Sequence, residues 1–215
     1  MRIAFFDMDK TLLSVSSGRS YASYLWRRRL ISPIEMANVL LISAEYSLGV
    51  LDFPRAMARM SRSVRNGDAA ATRALCSQWF EEELKRHIAP RAVARLREHQ
   101  QRGDLVCLLS ASTQFAVEPV ARHLDIPYRS TELEVVDNRF TGGIVGPPCY
   151  AEGKRYWGER IAQQHGVALA DCVFYTDSYS DRSFLEVVGR PVAVNPDLRL
   201  RRLAGQRGWP IERFY

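Results

Sequence analysis

Carboxylates follow short apolar runs twice in this chain. Ile3-Ala4-Phe5-Phe6 leads into Asp7-Met8-Asp9-Lys10-Thr11, and Cys172-Val173-Phe174-Tyr175 leads into Thr176-Asp177-Ser178-Tyr179-Ser180-Asp181. Runs of this length read as buried strands, and the carboxyl ends of strands are where open α/β sheets place their chemistry. At strand spacing Asp7 and Asp9 lean to one side. Two anions that close need a cation or a shared proton. The pair suits a metal-assisted nucleophile with an acid/base beside it. It equally suits a turn in which Asp accepts from backbone N–H groups. Asp177 and Asp181 share a site if the turn between them coils helically. Hard oxygen ligands at a strand end suit Mg²⁺, which keeps several waters and takes few protein carboxylates.

Two further segments carry weaker signals. Ser110-Ala111-Ser112 follows the apolar run Leu105 to Leu109. Small hydroxyl residues at a helix start can hold a phosphate oxygen, and they are also common caps. Lys154 follows Glu152-Gly153 near another helix start. A cation there opposes the helix dipole and asks for an anionic partner, although a solvent-facing lysine is the plainer reading. His87, His99, His123 and His165 show no ligand spacing.

The elements that must position these groups alternate. Strands are expected at 3–6, 105–109, 128–136, 172–175 and 191–194, with Asp137-Asn138 turning the third back on Phe140-Thr141-Gly142 as a hairpin. Helices are expected at 91–102, 113–124, 152–165 and 181–188, and a last one to Ala204 with Asn195 as N-cap and Pro196 in its first turn. Alternation of this kind implies a mostly parallel sheet covered on both faces. Roughly from Arg19 to His87 only helices are expected. One carries Tyr21, Leu25 and Trp26 on one face. A second runs from Ser32-Pro33 to near Gly49, a third from Phe53-Pro54 to Val64, and a fourth starts at Asp68 and carries Trp79, Phe80 and Leu84. So long a helical stretch exceeds an ordinary crossover and reads as an inserted domain. The expected division is a core of 1–14 and 90–215 with a helical cap of 15–89, hinged near Ser14–Gly18 and His87–Pro90.

Composition constrains the rest. With 215 residues, 47% hydrophobic, the chain can bury a real core. Its net charge of +6 favours anionic encounter partners: phosphorylated small molecules, nucleic acid or an acidic membrane surface. Cys76, Cys107, Cys149 and Cys172 form no C-x-x-C pair, which fits reduced thiols and a cytoplasmic location. No signal peptide is expected at the N-terminus. The most apolar stretch, 31–51, is interrupted by Pro33, Glu35, Asn38 and Glu45, so it makes a poor membrane span and no stable membrane insertion is expected.

The order of the four polar segments resembles the four motifs of the haloacid dehalogenase-like superfamily: strand-end Asp-x-Asp-x-Thr, strand-end Ser, helix-start Lys, strand-end Asp-x-x-x-Asp. The helical cap and the tract from Phe140-Thr141-Gly142 to Glu152-Gly153-Lys154 look most like the subfamily that contains phosphoserine phosphatases. The resemblance implies an α/β, Rossmann-like, mostly parallel core with an inserted all-helical cap, and a phosphatase acting on a small phosphorylated metabolite. It implies that Asp7 attacks phosphorus to give an aspartyl-phosphate, that Asp9 is the acid/base, and that Ser110 and Lys154 bind phosphoryl oxygens with help near Met8 and Ala111. The resemblance also implies that Thr11 supports the loop. Mg²⁺ would be held by Asp7, the Asp9 carbonyl and Asp177, with Asp181 holding a metal-bound water or orienting Lys154. The second Asp favours an oxygen-ester substrate over a halide, because an alkoxide needs a proton on leaving. Two positions depart from the phosphoserine phosphatases. Ser16 stands where they carry a Glu for the substrate ammonium, and Met60 where they carry an Arg for its carboxylate, so phosphoserine is not the expected substrate. Arg19 and Arg59 are candidate cap contacts. The competing readings are a phosphotransferase or phosphomutase on the same scaffold, and a non-catalytic basic module binding nucleic acid or anionic lipid. The acidic site argues against the last, so no nucleic-acid partner is expected, and a monomer or homodimer is.

Overall fold

The computed structural model describes residues 1–48 and 52–215. Seven strands form one sheet: β1 (Ile3–Asp7), β2 (Leu105–Thr113), β3 (Tyr128–Val136), β4 (Arg139–Val145), β5 (Cys172–Thr176), β6 (Arg190–Val194) and β7 (Ile211–Glu212). Their order is β4-β3-β2-β1-β5-β6-β7. All pairings are parallel except β3 with β4, the expected hairpin. Its turn residues Asp137 and Asn138 both have positive φ, which these side chains tolerate. β1 is central, with β2 on one side and β5 on the other. That reversal opens a crevice at its carboxyl end, beyond Asp7.

β1 is buried throughout, and its alternation splits the core in two. Ala4 and Phe6 face one cluster, where α5 (Pro90–Gln101) contributes Leu96 and α6 (Gln114–Leu124) contributes Val117 and Val120. Ile3 and Phe5 face the other, filled by Ile161 of α7 (Glu152–Gln164), Phe184 of α8 (Arg182–Leu185) and Leu200 of α9 (Leu198–Arg207).

Between β1 and α5 lie α1 (Ser17–Arg27), α2 (Pro33–Leu48), α3 (Phe53–Ser63) and α4 (Ala69–Trp79). Gly49, the expected end of α2, lies outside the described residues. Asp52 and Asp68 cap α3 and α4 by accepting from Arg55 N and Ala71 N. Tyr24, Trp79, Phe80 and Leu84 from this insertion share one cluster with Phe6 and Leu108 of the sheet. Tyr21 packs on Trp79, whereas Trp26 is 44% exposed. The two crossings between insertion and core run side by side, with Ser14 N donating to His87 O at 2.8 Å and Ala89 N to Leu12 O at 2.9 Å. No helix among the described residues is long and apolar enough to cross a membrane.

Local expectations need correction in two places, and one strand was unforeseen. β2 does not stop at Leu109. It continues to Thr113 through an irregular register, where the Thr131 hydroxyl bonds Ala111 O and Ser112 N bonds Ser110 Oγ in place of ladder bonds. Asn195 is not the cap of α9. Its φ is +43, its side chain bridges Lys10 O and Phe214 N, and Asp197 caps the helix by accepting from Leu200 N. The short edge strand β7 was not expected, because two residues leave no periodicity to detect.

Candidate active site

β1 delivers Asp7 at its last position, level with Leu109 of β2. The chain then makes a tight turn over Met8–Leu12, with Asp9 extended and Lys10 at φ +53. The Lys10 carbonyl accepts from the Tyr215 hydroxyl at 3.0 Å and from Asn195 Nδ2 at 3.4 Å, which ties the turn to the segments that follow β6 and β7. Thr11 is fully buried inside it.

Lys154 enters from α7. Gly153 before it is required, because a Cβ there would lie 1.8 Å from the Pro148 carbonyl oxygen. Ala151, at φ +48, takes the strained turn into the helix. Lys154 is 3% exposed and donates from Nζ to Asp7 Oδ1 at 2.5 Å and to Asp181 Oδ2 at 2.7 Å. The Thr176 hydroxyl donates to that same Asp181 oxygen at 2.6 Å. The segment after β5 coils as the Asp177–Asp181 spacing requires, in a single helical turn over Tyr179–Asp181.

On the opposite side, Ser17 Oγ lies 3.0 Å from Asp9 Oδ2, to which it donates, and 2.8 Å from Ser112 Oγ. Ser110 is buried, and its oxygen accepts the Ser112 amide, which leaves its own hydrogen for another acceptor. Asp7, Asp9, Ser110, Lys154, Asp177 and Asp181 therefore gather at one end of β1, β2 and β5. Ala111 adjoins them, its carbonyl taken by Thr131. Arg19 and Arg59 do not join this group. Both are exposed, on α1 and α3.

The electrostatics are unbalanced. Burial pushes the Asp7 carboxyl up to about 7, against the pull of Lys154, with Asp181 and Asp9 pushing the same way. Burial and then the charge of Asp7 hold the Asp177 carboxyl well above its ordinary value. Burial also raises Asp9, with Ser17 opposing. Lys154 is raised well above its ordinary value, because Asp181 and Asp7 outweigh its own burial. One buried cation thus serves several buried carboxylates, and Asp9 Oδ1 and Asp181 Oδ1 are buried without a hydrogen-bond partner. This donor set fits a divalent cation. No group of three or more His, Cys, Asp or Glu forms a metal cage among the described residues. An ion that takes few protein carboxylates and keeps its waters is the kind such a site suits.

Sequence reasoning gave Ser17 no site role, read Ser112 only as one of the small hydroxyls beside Ser110, and read Asn195 as a helix cap. Their hydroxyls and amide are common in loops, and the partners of Ser112 and Asn195 lie 95 and 185 residues away. His99 is a core residue, bonded to Asp104 at 2.8 Å and to the Tyr175 hydroxyl at 2.9 Å.

The family model for haloacid dehalogenase-like hydrolases matches residues 4–186, which takes in Asp7, Asp9, Ser110, Lys154, Asp177 and Asp181. The chain belongs to the haloacid dehalogenase-like hydrolase family. Among similar members, a histidinol-phosphatase of Neisseria meningitidis is 29% identical over 99% of this chain and 98% of its own. A phosphoserine phosphatase of Mycobacterium tuberculosis is 45% identical over 84 residues, 39% of this chain. That match spans 27% of the relative's length, and the chain spans about a quarter of the curated relatives of this kind. A solved structure from Bordetella pertussis, of a protein with unknown function, is 31% identical and covers 100% of both chains at a TM-score of 0.89. As expected from the motif order, this is a family hydrolase core with helices inserted after the first strand.

Proposed function

We propose that the protein is a Mg²⁺-dependent phosphatase that hydrolyses a small phosphomonoester through an aspartyl-phosphate on Asp7. The observation that carries the reading is the Lys154 bridge. It occupies one oxygen of Asp7 and leaves the other for attack on phosphorus. The bond from phosphorus to the ester oxygen breaks as the Asp7 bond forms. Asp9, which burial keeps protonated to higher pH than usual, gives its proton to the departing alkoxide. As a carboxylate it then takes a proton from the water that attacks the Asp7-bound phosphorus, releasing phosphate and restoring Asp7. Two Lys154 hydrogens serve Asp7 and Asp181, and the third, with the Ser110 hydroxyl and the N–H groups near Met8 and Ala111, serves the phosphoryl oxygens. The Asp7 carboxylate, the Asp9 carbonyl and Asp177 would hold Mg²⁺, with Asp181 beside them. The ion would screen Asp7 from the phosphoryl charge.

The named activities of the relatives support a phosphomonoester as substrate. Ser16 cannot pair with an ammonium as a carboxylate can, so phosphoserine is placed outside the substrate range and a different alcohol phosphate inside it. Arg19 and Arg59 are candidates for contact with that alcohol when the helices move. The test is turnover of p-nitrophenyl phosphate with Mg²⁺. Asp7→Asn abolishes it while the circular dichroism and melting profile persist, and retained turnover in that variant would sink the proposal. Product partition with added glycerol separates hydrolysis from phosphotransfer.

A further inference from the structure

We infer that α2 is a dimerisation helix, and that a second copy of this chain covers it in antiparallel fashion. The helix is rich in large apolar residues, with Ile34, Met36, Leu40, Leu41 and Ile42 within nine residues. Helices of this kind are normally enclosed. Here no described side chain of α2 is buried. Ile34 is 75% exposed, Leu40 53% and Leu41 55%, and Leu30 at the corner leading into the helix is 55% exposed. Neighbouring elements do bury their apolar faces: α1 encloses Ala22 and Tyr24, and α4 encloses Cys76 and Trp79. Exposed apolar side chains occur elsewhere, as at Leu198 and at Val135-Val136, but Leu30, Ile34, Leu40 and Leu41 gather on α2 and its corner, and a patch of this kind marks a contact surface.

The spacing identifies the occupant. Ile34, Ala37 and Leu41 follow each other at three and four residues, the seam of a helix pair, and the sequence continues that spacing at positions 44 and 48, an alanine and a leucine. Large and small residues alternate along it. An antiparallel copy shifted to set Ala37 opposite Leu41 of the second copy also sets Ile34 opposite position 44. Leu41 of each copy then meets Ala37 of the other, large against small, and the two helix dipoles oppose. The same register brings Glu45 within about a turn of the corner of the other copy, where Arg29 is exposed. The relation is its own inverse, as a two-fold dimer requires. A lipid surface fits less well. Interfacial helices carry Lys and Arg on their polar face, whereas α2 has neither and carries Glu35 and Glu45.

The test is sedimentation velocity on the full chain at micromolar concentration. The wild type sediments as a dimer. Leu41→Glu, at an exposed position that leaves the fold and its circular dichroism intact, weakens association by at least about tenfold. A mixture of Ala37→Cys and Leu41→Cys proteins forms an intermolecular disulfide under mild oxidation, and Glu35→Cys mixed with either does not. A monomeric wild type, or a dimer unaffected by Leu41→Glu, overturns the inference. So does flotation of a monomeric wild type with phosphatidylglycerol vesicles that Leu41→Glu abolishes, which would assign the helix to a membrane surface instead.

Discussion

Replacing Lys154 by Met removes the one cation that bonds both Asp7 and Asp181, and keeps the volume nearly constant. Lys154 lies 2.5 Å from one carboxylate and 2.7 Å from the other, with side-chain exposures of 4%, 8% and 1% for Lys154, Asp7 and Asp181. Breaking a buried pair by removing one partner costs about 3–5 kcal/mol, because the other charge stays buried without compensation. For a chain of this size that is a fall in melting temperature of roughly 6–20 °C. The loss depends on pH, and its sign follows from linkage. Asp7 titrates near about 7 when folded, against an ordinary 3.8. Between those values the folded protein holds more protons than the unfolded one, so this group's contribution to stability declines as pH rises through that window. Without Lys154 the folded value moves higher still and the window extends upward. Lys154 itself, raised well above its ordinary value, stays charged throughout, so its stabilising contribution would fade only in strong alkali. The variant therefore loses most at about pH 8 and least at about pH 5, where protons replace the missing cation. Urea melts of both proteins in EDTA at the two pH values measure this. A deficit that is flat with pH, or below about 1 kcal/mol at the higher one, would refute the view that Lys154 balances buried carboxylates.

Three further outcomes are expected. Asp9→Asn slows the single-turnover release of alcohol from an alkyl phosphate by about 10²–10⁴-fold and of nitrophenolate far less, since nitrophenolate leaves without a proton, while the later hydrolysis of the phosphoenzyme slows for both; equal losses in the release step would remove Asp9 as the acid. Gly153→Ala forces a Cβ to within 1.8 Å of the Pro148 carbonyl and shifts the first turn of α7. Displacing Lys154 by about 1 Å costs on the order of 100-fold in turnover, whereas Gly205→Ala, in open space on α9, leaves turnover unchanged and serves as the control. Dialysis against EDTA abolishes turnover and Mg²⁺ restores it, with a larger rise in melting temperature above neutral pH than below, because the cation competes with the Asp7 and Asp177 protons; full activity in the dialysed protein would exclude a metal requirement.

Much of this site is legible before folding because strand ends announce themselves. An apolar run that stops at a carboxylate marks both a buried strand and its chemical end, so Asp7, Asp9, Asp177 and Asp181 stand out, and the long helical stretch after the first strand marks the insertion. The order of these segments along the chain was enough to identify the family. Tertiary structure decided the rest. Lys154 reads as an ordinary surface lysine until α7 packs against β2 and aims it at two buried acids. Ser17 becomes the partner of Asp9 only because the first turn of α1 rests on the irregular end of β2. Asn195, in sequence a helix cap, braces the turn after Asp7 from 185 residues away. The arginines Arg19 and Arg59, equally plausible by charge, stay in solvent. Local periodicity and residue type determine which segments bury and where each strand ends; which hydroxyl or amine then completes a buried carboxylate depends on the desolvation of groups brought together from distant segments, and that exists only in the folded chain.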